Sequence, residues 1–311
     1  MDEKDRLDDA ARDRGLGAFL GLAVGDALGT TLEFQPRDAK PAIVDMVGGG
    51  PFRLKPGEWT DDTSMALCLA DCLIANEGEV VGRDLADRFL RWWKHGENSV
   101  TGRCFDIGAA TRAALSDYSH TGVPRGSKDP TTAGNGGVMR LAPAAIAAGL
   151  DVDRAVALAR AQSEVTHGAL ECLEGAELLA RVLVAGCAGA GLKALDAGAE
   201  APLCARKIVT LAGGGWRGKT REKIRSTGYV VDTLEAAFWS VGTSNGFEEA
   251  ILKAVNLADD ADTVGAVTGQ IAGAIWGAST IPERWLTALA WKERLSTSAA
   301  KLMRLQRTCA V

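Results

Sequence analysis

Glycine recurs at every fourth position in two widely separated stretches, Gly17, Gly21, Gly25 and Gly29 near the start and Gly265, Gly269, Gly273 and Gly277 near the end. Residues four apart share one face of an α-helix, so each stretch predicts a helix with a smooth stripe where another backbone can come close. A glycine inside a helix costs about 1 kcal/mol relative to alanine, and close contact between two such stripes is what offsets that cost. The expectation is a central pair of helices packed stripe to stripe, joining the two ends of the chain.

The rest of the chain reads as alanine-rich helix. Apolar residues recur at helical spacing through Leu16–Leu32, Met65–Ala75, Leu85–Trp93, Ile107–Leu115, Ala155–Gln162, Leu170–Ala185, Val231–Val241 and Phe247–Val255. Strict alternation is nearly absent, and Lys207–Leu211 is the one short candidate strand. Glycine, proline and polar residues gather in loops at 48–57, 116–137 and 213–218. An all-α fold is predicted, with residues 1–13 as a polar N-terminal tail and 14–311 as one domain.

Composition excludes several classes. A net charge of -5 argues against nucleic acid as a partner, because phosphate binding draws on a basic face. Residues 1–13 mix acids and bases with no apolar run, unlike a signal or transit peptide, and the expected compartment is the cytoplasm. The run Gly15–Leu32 is interrupted by Asp26 and reads as too short and too polar to span a bilayer. Cys68, Cys72, Cys104, Cys172, Cys187, Cys204 and Cys309 show neither a C-x-x-C pair nor zinc spacing, and read as reduced core thiols.

The chemistry concentrates at two helix starts. Thr60-Asp61-Asp62-Thr63 precedes the helix near Met65, and Asp259-Asp260-Ala261-Asp262-Thr263 precedes the second glycine-striped helix. One acid or threonine at such a place is an ordinary N-cap. Two or three adjacent carboxylates at each of two starts repel one another unless a cation neutralises them. Carboxylates and hydroxyls without imidazole or thiolate select hard cations such as Mg²⁺ or Mn²⁺.

A glycine-rich loop, Ala133-Gly134-Asn135-Gly136-Gly137-Val138-Met139-Arg140, is either a tight turn or a phosphate cradle to which Arg140 adds charge. Gly213–Thr220 fits the Walker A pattern, but no long helix starts at Lys219 and no parallel sheet is in prospect, which leaves a P-loop nucleotidase as the alternative. His167 opens a helix and is either structural or phosphate-binding; Tyr229 either stacks on a base or fills the core.

Taken in order, GAFLGLAVGDALGTTLEF, WTDDTSMALCLADCL, AGNGGVMR, THG, STGYVVDTLEAAFW and NLADDADTVGAVTGQIAGAIWG resemble the ADP-ribosylglycohydrolase family, in its dinitrogenase reductase-activating glycohydrolase-like branch, over about Arg14 to Trp291. The resemblance implies a compact, single-domain orthogonal helical bundle with a cleft for two divalent cations, Mg²⁺ or Mn²⁺. It assigns Thr60, Asp61, Asp62, Asp260, Asp262 and Thr263 as metal ligands and Glu33, Asp61 or Asp62 as catalytic base. It assigns Asn135, Gly136, Gly137, Met139, His167, Gly228 and Tyr229 to ADP-ribose binding. Asp259 stands where many relatives carry glycine. The implied activity is hydrolysis of the bond between ADP-ribose and a protein side chain, with an arginine linkage favoured. A small ADP-ribose compound as substrate, or a non-catalytic ADP-ribose-binding role, is the alternative. The loop Ser116–Thr132 is expected to discriminate linkages, and the expected unit is a monomer.

Overall fold

The structure, a computed structural model, describes residues 3–305. The elements are α1 (Glu3–Gly29), α2 (Asp61–Ala75), α3 (Gly82–His95), α4 (Ala109–Thr121), α5 (Gly136–Met139), α6 (Ala142–Ala148), α7 (Val152–Glu164), α8 (Leu170–Cys187), α9 (Arg206–Ala212), α10 (Val230–Gly242), α11 (Phe247–Val255), α12 (Ala261–Trp276), α13 (Glu283–Ala288) and α14 (Lys292–Leu305). Only isolated bridges accompany them; no β-sheet forms among the described residues.

The glycine stripes meet as α1 packs antiparallel on α12. A Cβ added at Gly17 would fall 2.5 Å from the carbonyl oxygen of Gly273, and Gly21, Gly25 and Gly29 face Gly269, Gly265 and Ala261 in the same way. The partner's number falls by four as the first rises by four, one helical turn at a time. Every residue of α12 from Ala261 to Ile275 is buried, and α2, α8, α10, α11 and α14 pack around this central pair. The seam brings the end of α1 to the start of α12, and so sets Asp26 and Glu33 beside Asp260 and Asp262.

Four expectations change. Lys207–Leu211 belongs to α9: Ile208, Leu211 and Ala212 are buried while Val209 is 46% exposed, a helical period. The β-branched residues suggested a strand, but a five-residue run is decided by which face meets the core. The loop expected from Ser116 begins only after Thr121, because Thr111, Ala114, Leu115 and Tyr118 form one buried stripe that carries α4 onward. The short helices α5, α6 and α13 and the polar-faced α14 lay outside the apolar runs. Finally, the stretch Asp9–Leu32 does have the length and apolarity to cross a membrane, but 89% of its most apolar window is buried inside the protein, where it serves as a core helix.

The Walker-like segment lacks the phosphate-loop setting. Helix α9 precedes it in place of a strand, and only the 3-10 turn Arg221–Lys223 follows. Lys219 is engaged by Glu235 at 2.5 Å, and its carbonyl accepts from Trp239 Nε1 at 2.9 Å. Six cysteines are free thiols and Cys309 lies outside the described residues; burial pushes the thiols of Cys68 and Cys72 up to about 12, which keeps them unreactive.

Candidate active site

Asp26 lies fully buried in the last turn of α1, where a carboxylate needs a strong reason to be. Its Oδ1 accepts from Thr60 N and Thr60 Oγ1, both at 2.8 Å, and its Oδ2 accepts from Thr63 N at 3.0 Å and Thr63 Oγ1 at 2.6 Å. Thr60, the N-cap of α2, makes no side-chain cap of its own. Asp26 therefore caps α2 from a different helix and orients both threonines. Both of its oxygens are committed, which makes it a positioning carboxylate. Burial first, and then Asp262, push its pKa up to about 7.

With the proton of Thr60 Oγ1 committed to Asp26, its lone pairs face Asp62 Oδ2 at 3.3 Å and Asp262 Oδ2 at 3.2 Å. Thr263 Oγ1 lies 3.4 Å from Asp62 Oδ2. Buried oxygens Glu33 Oε2, Asp62 Oδ1 and Asp262 Oδ1 have no hydrogen-bond partner. Two groups of carboxylate oxygens each fall within 4.8 Å of one another, Asp26 with Asp62 and Asp262, and Glu33 with Asp106 and Asp262. Desolvation raises the pKa of Asp61, Asp62 and Asp260 well above the usual carboxylate range, and mutual repulsion adds to it. Glu33 moves in the same direction for the same causes, and Asp106 rises to about 9. Buried oxygen ligands crowded together, three of them without a hydrogen-bond partner, fit a hard divalent cation, which would neutralise the repulsion.

Asp106 was not legible in the sequence. It is a lone loop aspartate, held at φ 57°, and nothing around it marks it as part of an acid cluster. Asp26 did leave a signal, as the one charge in a glycine-striped apolar run. Asp259 sits at φ 59°, a left-handed conformation that favours glycine. Its side chain is exposed and belongs to neither carboxylate group.

These acids form the floor of a cavity of about 730 Å³, in the size range of small-molecule sites. Glu33, Asp61, Asp260, Asp262 and Thr263 line it together with Asn135, Gly136, Met139, His167, Gly228 and Tyr229, whereas Thr60, Asp62 and Gly137 lie behind its wall. Pro130, Thr131 and Thr132, from the end of the loop expected to discriminate linkages, form part of the rim.

The glycine loop is tied to the acids by Asn135, whose Nδ2 donates to Asp260 Oδ2 at 2.6 Å and to Thr233 Oγ1 at 2.9 Å, while its backbone N–H donates to Gly228 at 3.1 Å. A Cβ at Gly136 would run into the His167 ring, and one at Gly137 into Ser163, so these glycines make room for side chains. Arg140 does not reach the cavity. It is fully buried over the Phe89 ring, donating to Gln162 and to Thr166 Oγ1, and burial lowers its pKa to about 9. Thr166 Oγ1, which accepts from Arg140, lies 2.8 Å from His167 Nδ1, and His167 Nε2 points toward Gly134 and Gly136. Burial, with Arg140 adding to it, lowers the His167 pKa to about 3, so the ring stays neutral. At the far wall Tyr229 OH donates to Glu171 and accepts from Lys207 Nζ at 2.9 Å.

Comparison with known proteins agrees with this geometry. The sequence model of the ADP-ribosylglycohydrolase family matches residues 7–310. The chain is 50% identical over 293 residues to ADP-ribosylarginine hydrolase Tri1 of Pseudomonas putida (strain GB-1), covering 94% of this chain and 78% of that protein. It is 34% identical over 290 residues to ADP-ribosyl-[dinitrogen reductase] glycohydrolase of Rhodospirillum rubrum, covering 91% and 92%. A solved structure, an ADP-ribosylglycohydrolase-related protein complex, superposes with a TM-score of 0.82 at 42% identity, covering 96% of this chain and 99% of that one. With the fold, the glycine seam and the paired acid clusters all in place, the chain belongs to the ADP-ribosylglycohydrolase family.

Proposed function

We propose that this protein is a metal-dependent hydrolase that releases ADP-ribose from modified arginine side chains of proteins. The observation that carries the arginine linkage is the 50% identity, over 94% of this chain, to a protein named ADP-ribosylarginine hydrolase. Thr60, Asp61, Asp62, Asp260, Asp262 and Thr263, joined by Glu33 and Asp106, are the groups that would hold two divalent cations, Mg²⁺ or Mn²⁺. Bound there, such cations supply charge compensation and Lewis acidity.

The protein's own residues account for the rest. Asp26 keeps Thr60 and Thr63 in place, and Asn135 holds Asp260, so the acids are positioned before substrate arrives. The neutral His167 offers one N–H to an anionic group without a charge of its own. Asn135, Gly136, Met139, Gly228 and Tyr229 complete the ADP-ribose subsite, with Gly137 behind them making room for Ser163. With bound cations offsetting their burial and mutual repulsion, Glu33 and Asp106, close together, would be ionised, and as carboxylates they accept the proton of the attacking water and stabilise positive charge on the ribose.

The test is release of free ADP-ribose from a protein modified separately on arginine and on serine, with and without Mg²⁺ or Mn²⁺, comparing wild type with Asp260→Asn. Metal-dependent release from arginine alone, lost in the variant, is the expected result. Metal-independent release, or release from serine alone, would overturn the reading.

A further inference from the structure

Phe34 follows Glu33 directly, and its surroundings are unlike those of a core aromatic. Its side chain is 61% exposed, yet its backbone sits at φ 57°, a region that residues with a Cβ avoid. The pose is fixed by Phe34 N–H donating to the carbonyl of Asp259 at 2.7 Å. Phe52 meets Phe34 edge-on at 6.4 Å, and Phe105 packs on Phe52 at 5.0 Å. Arg53 and Asp106, which follow Phe52 and Phe105, are left-handed too, at φ 56° and 57°, as is Asp259 at 59°. Strain gathered around one exposed ring, backed by two half-buried ones, points to a use for that ring outside the fold itself.

The position of the ring says what it meets. Phe34 lies on the rim of the carboxylate cavity and also borders a neighbouring depression of about 490 Å³ lined by Arg37, Glu222 and Arg225, so it stands where a modified side chain would enter from its protein. Five carboxylates and no lysine or arginine line the main cavity among the described residues. An aromatic face beside carboxylates suits a planar, weakly hydrated cation, because the ring quadrupole and planar stacking favour guanidinium over a neutral group.

On the arginine reading proposed above, we infer that Phe34, backed by Phe52 and Phe105, is the specificity-determining residue for the leaving side chain: the guanidinium joined to the anomeric carbon lies on its ring. In the reaction the bond from that carbon to nitrogen breaks, the hydroxyl of water joins the carbon, the remaining proton goes to the departing nitrogen, and arginine leaves as guanidinium. The ring takes no part in bond making. The cation is present before and after cleavage, so the contact acts on KM more than on kcat.

The experiment compares wild type, Phe34→Ala, Phe34→Leu and Phe34→Tyr on an arginine-ADP-ribosylated peptide, alongside their affinity for free ADP-ribose, which lacks the leaving group. All three substitutions keep a Cβ at the left-handed position, so backbone strain stays the same and ring chemistry is what varies. The alanine and leucine variants are expected to raise KM roughly two- to thirty-fold, the range of a cation–π contact, with kcat and ADP-ribose affinity held and with tyrosine restoring KM. A leucine variant equal to wild type, or a parallel loss of ADP-ribose affinity, would overturn the inference while the arginine reading stands. An inactive wild type would overturn both.

Discussion

Replacing Gly17 by alanine separates the packing role of the glycine seam from intrinsic helix preference. The nearest atoms to the new Cβ are all backbone: Gly273 O at 2.5 Å, Ala278 N at 2.6 Å and Gly277 C at 2.7 Å. Ordinary contact begins near 3.4 Å, so α1 and the end of α12 must part by about 0.9 Å, and no side chain can rotate away to absorb the shift. Overpacking of this kind costs about 1–3 kcal/mol, with the upper end expected against rigid backbone. The gain in helix propensity offsets about 1 kcal/mol. The net expectation is a loss of about 1–2 kcal/mol, measured as a lower denaturant midpoint at unchanged m-value. Gly82→Ala is the control, since its Cβ would sit 3.5 Å from Pro124 Cγ and 3.9 Å from Val165 Cγ2, in open contact at the first turn of α3. That change should stabilise by up to about 1 kcal/mol, through the unfolded chain. If both variants shift the midpoint in the same direction, the seam does not depend on close backbone approach and the argument for the stripes fails.

Two further outcomes follow from the carboxylates. Asp26→Asn puts an amide donor opposite donors from Thr60 or Thr63, so a loss of about 2–4 kcal/mol and weaker divalent-cation binding are expected; calorimetric cation titration showing wild-type affinity would refute the capping role. In metal chelator, stability should fall as pH rises. Unfolded aspartate ionises near pH ~4, whereas the folded protein holds the proton of Asp106 up to about 9. The stabilising contribution is thus full below pH ~4 and is lost as pH rises through about 9. Thermal melts across pH 5 to pH 9 with chelator and with excess Mg²⁺ or Mn²⁺ check this: a slope that the cation does not flatten would argue against a metal at these acids.

Much of this protein is determined along the chain itself. The two glycine stripes specify which helices meet, because three glycine pairs and one glycine–alanine pair permit that approach, and doubled acids at two helix starts mark a cation site, because like charges do not gather in a buried site without compensation. Other features exist only in three dimensions. Asp26 caps a helix 34 positions away, and Asp106 joins Glu33 and Asp262 only through the tertiary fold. Arg140 turns into the core, because Gln162 and Thr166 satisfy it there. The short run at Lys207 becomes helix, because the core takes one face of it. Local sequence determines period, breaks and caps; which distant group fills each remaining bond is decided by packing, since the cost of an unpaired buried charge is felt only once the helices have come together.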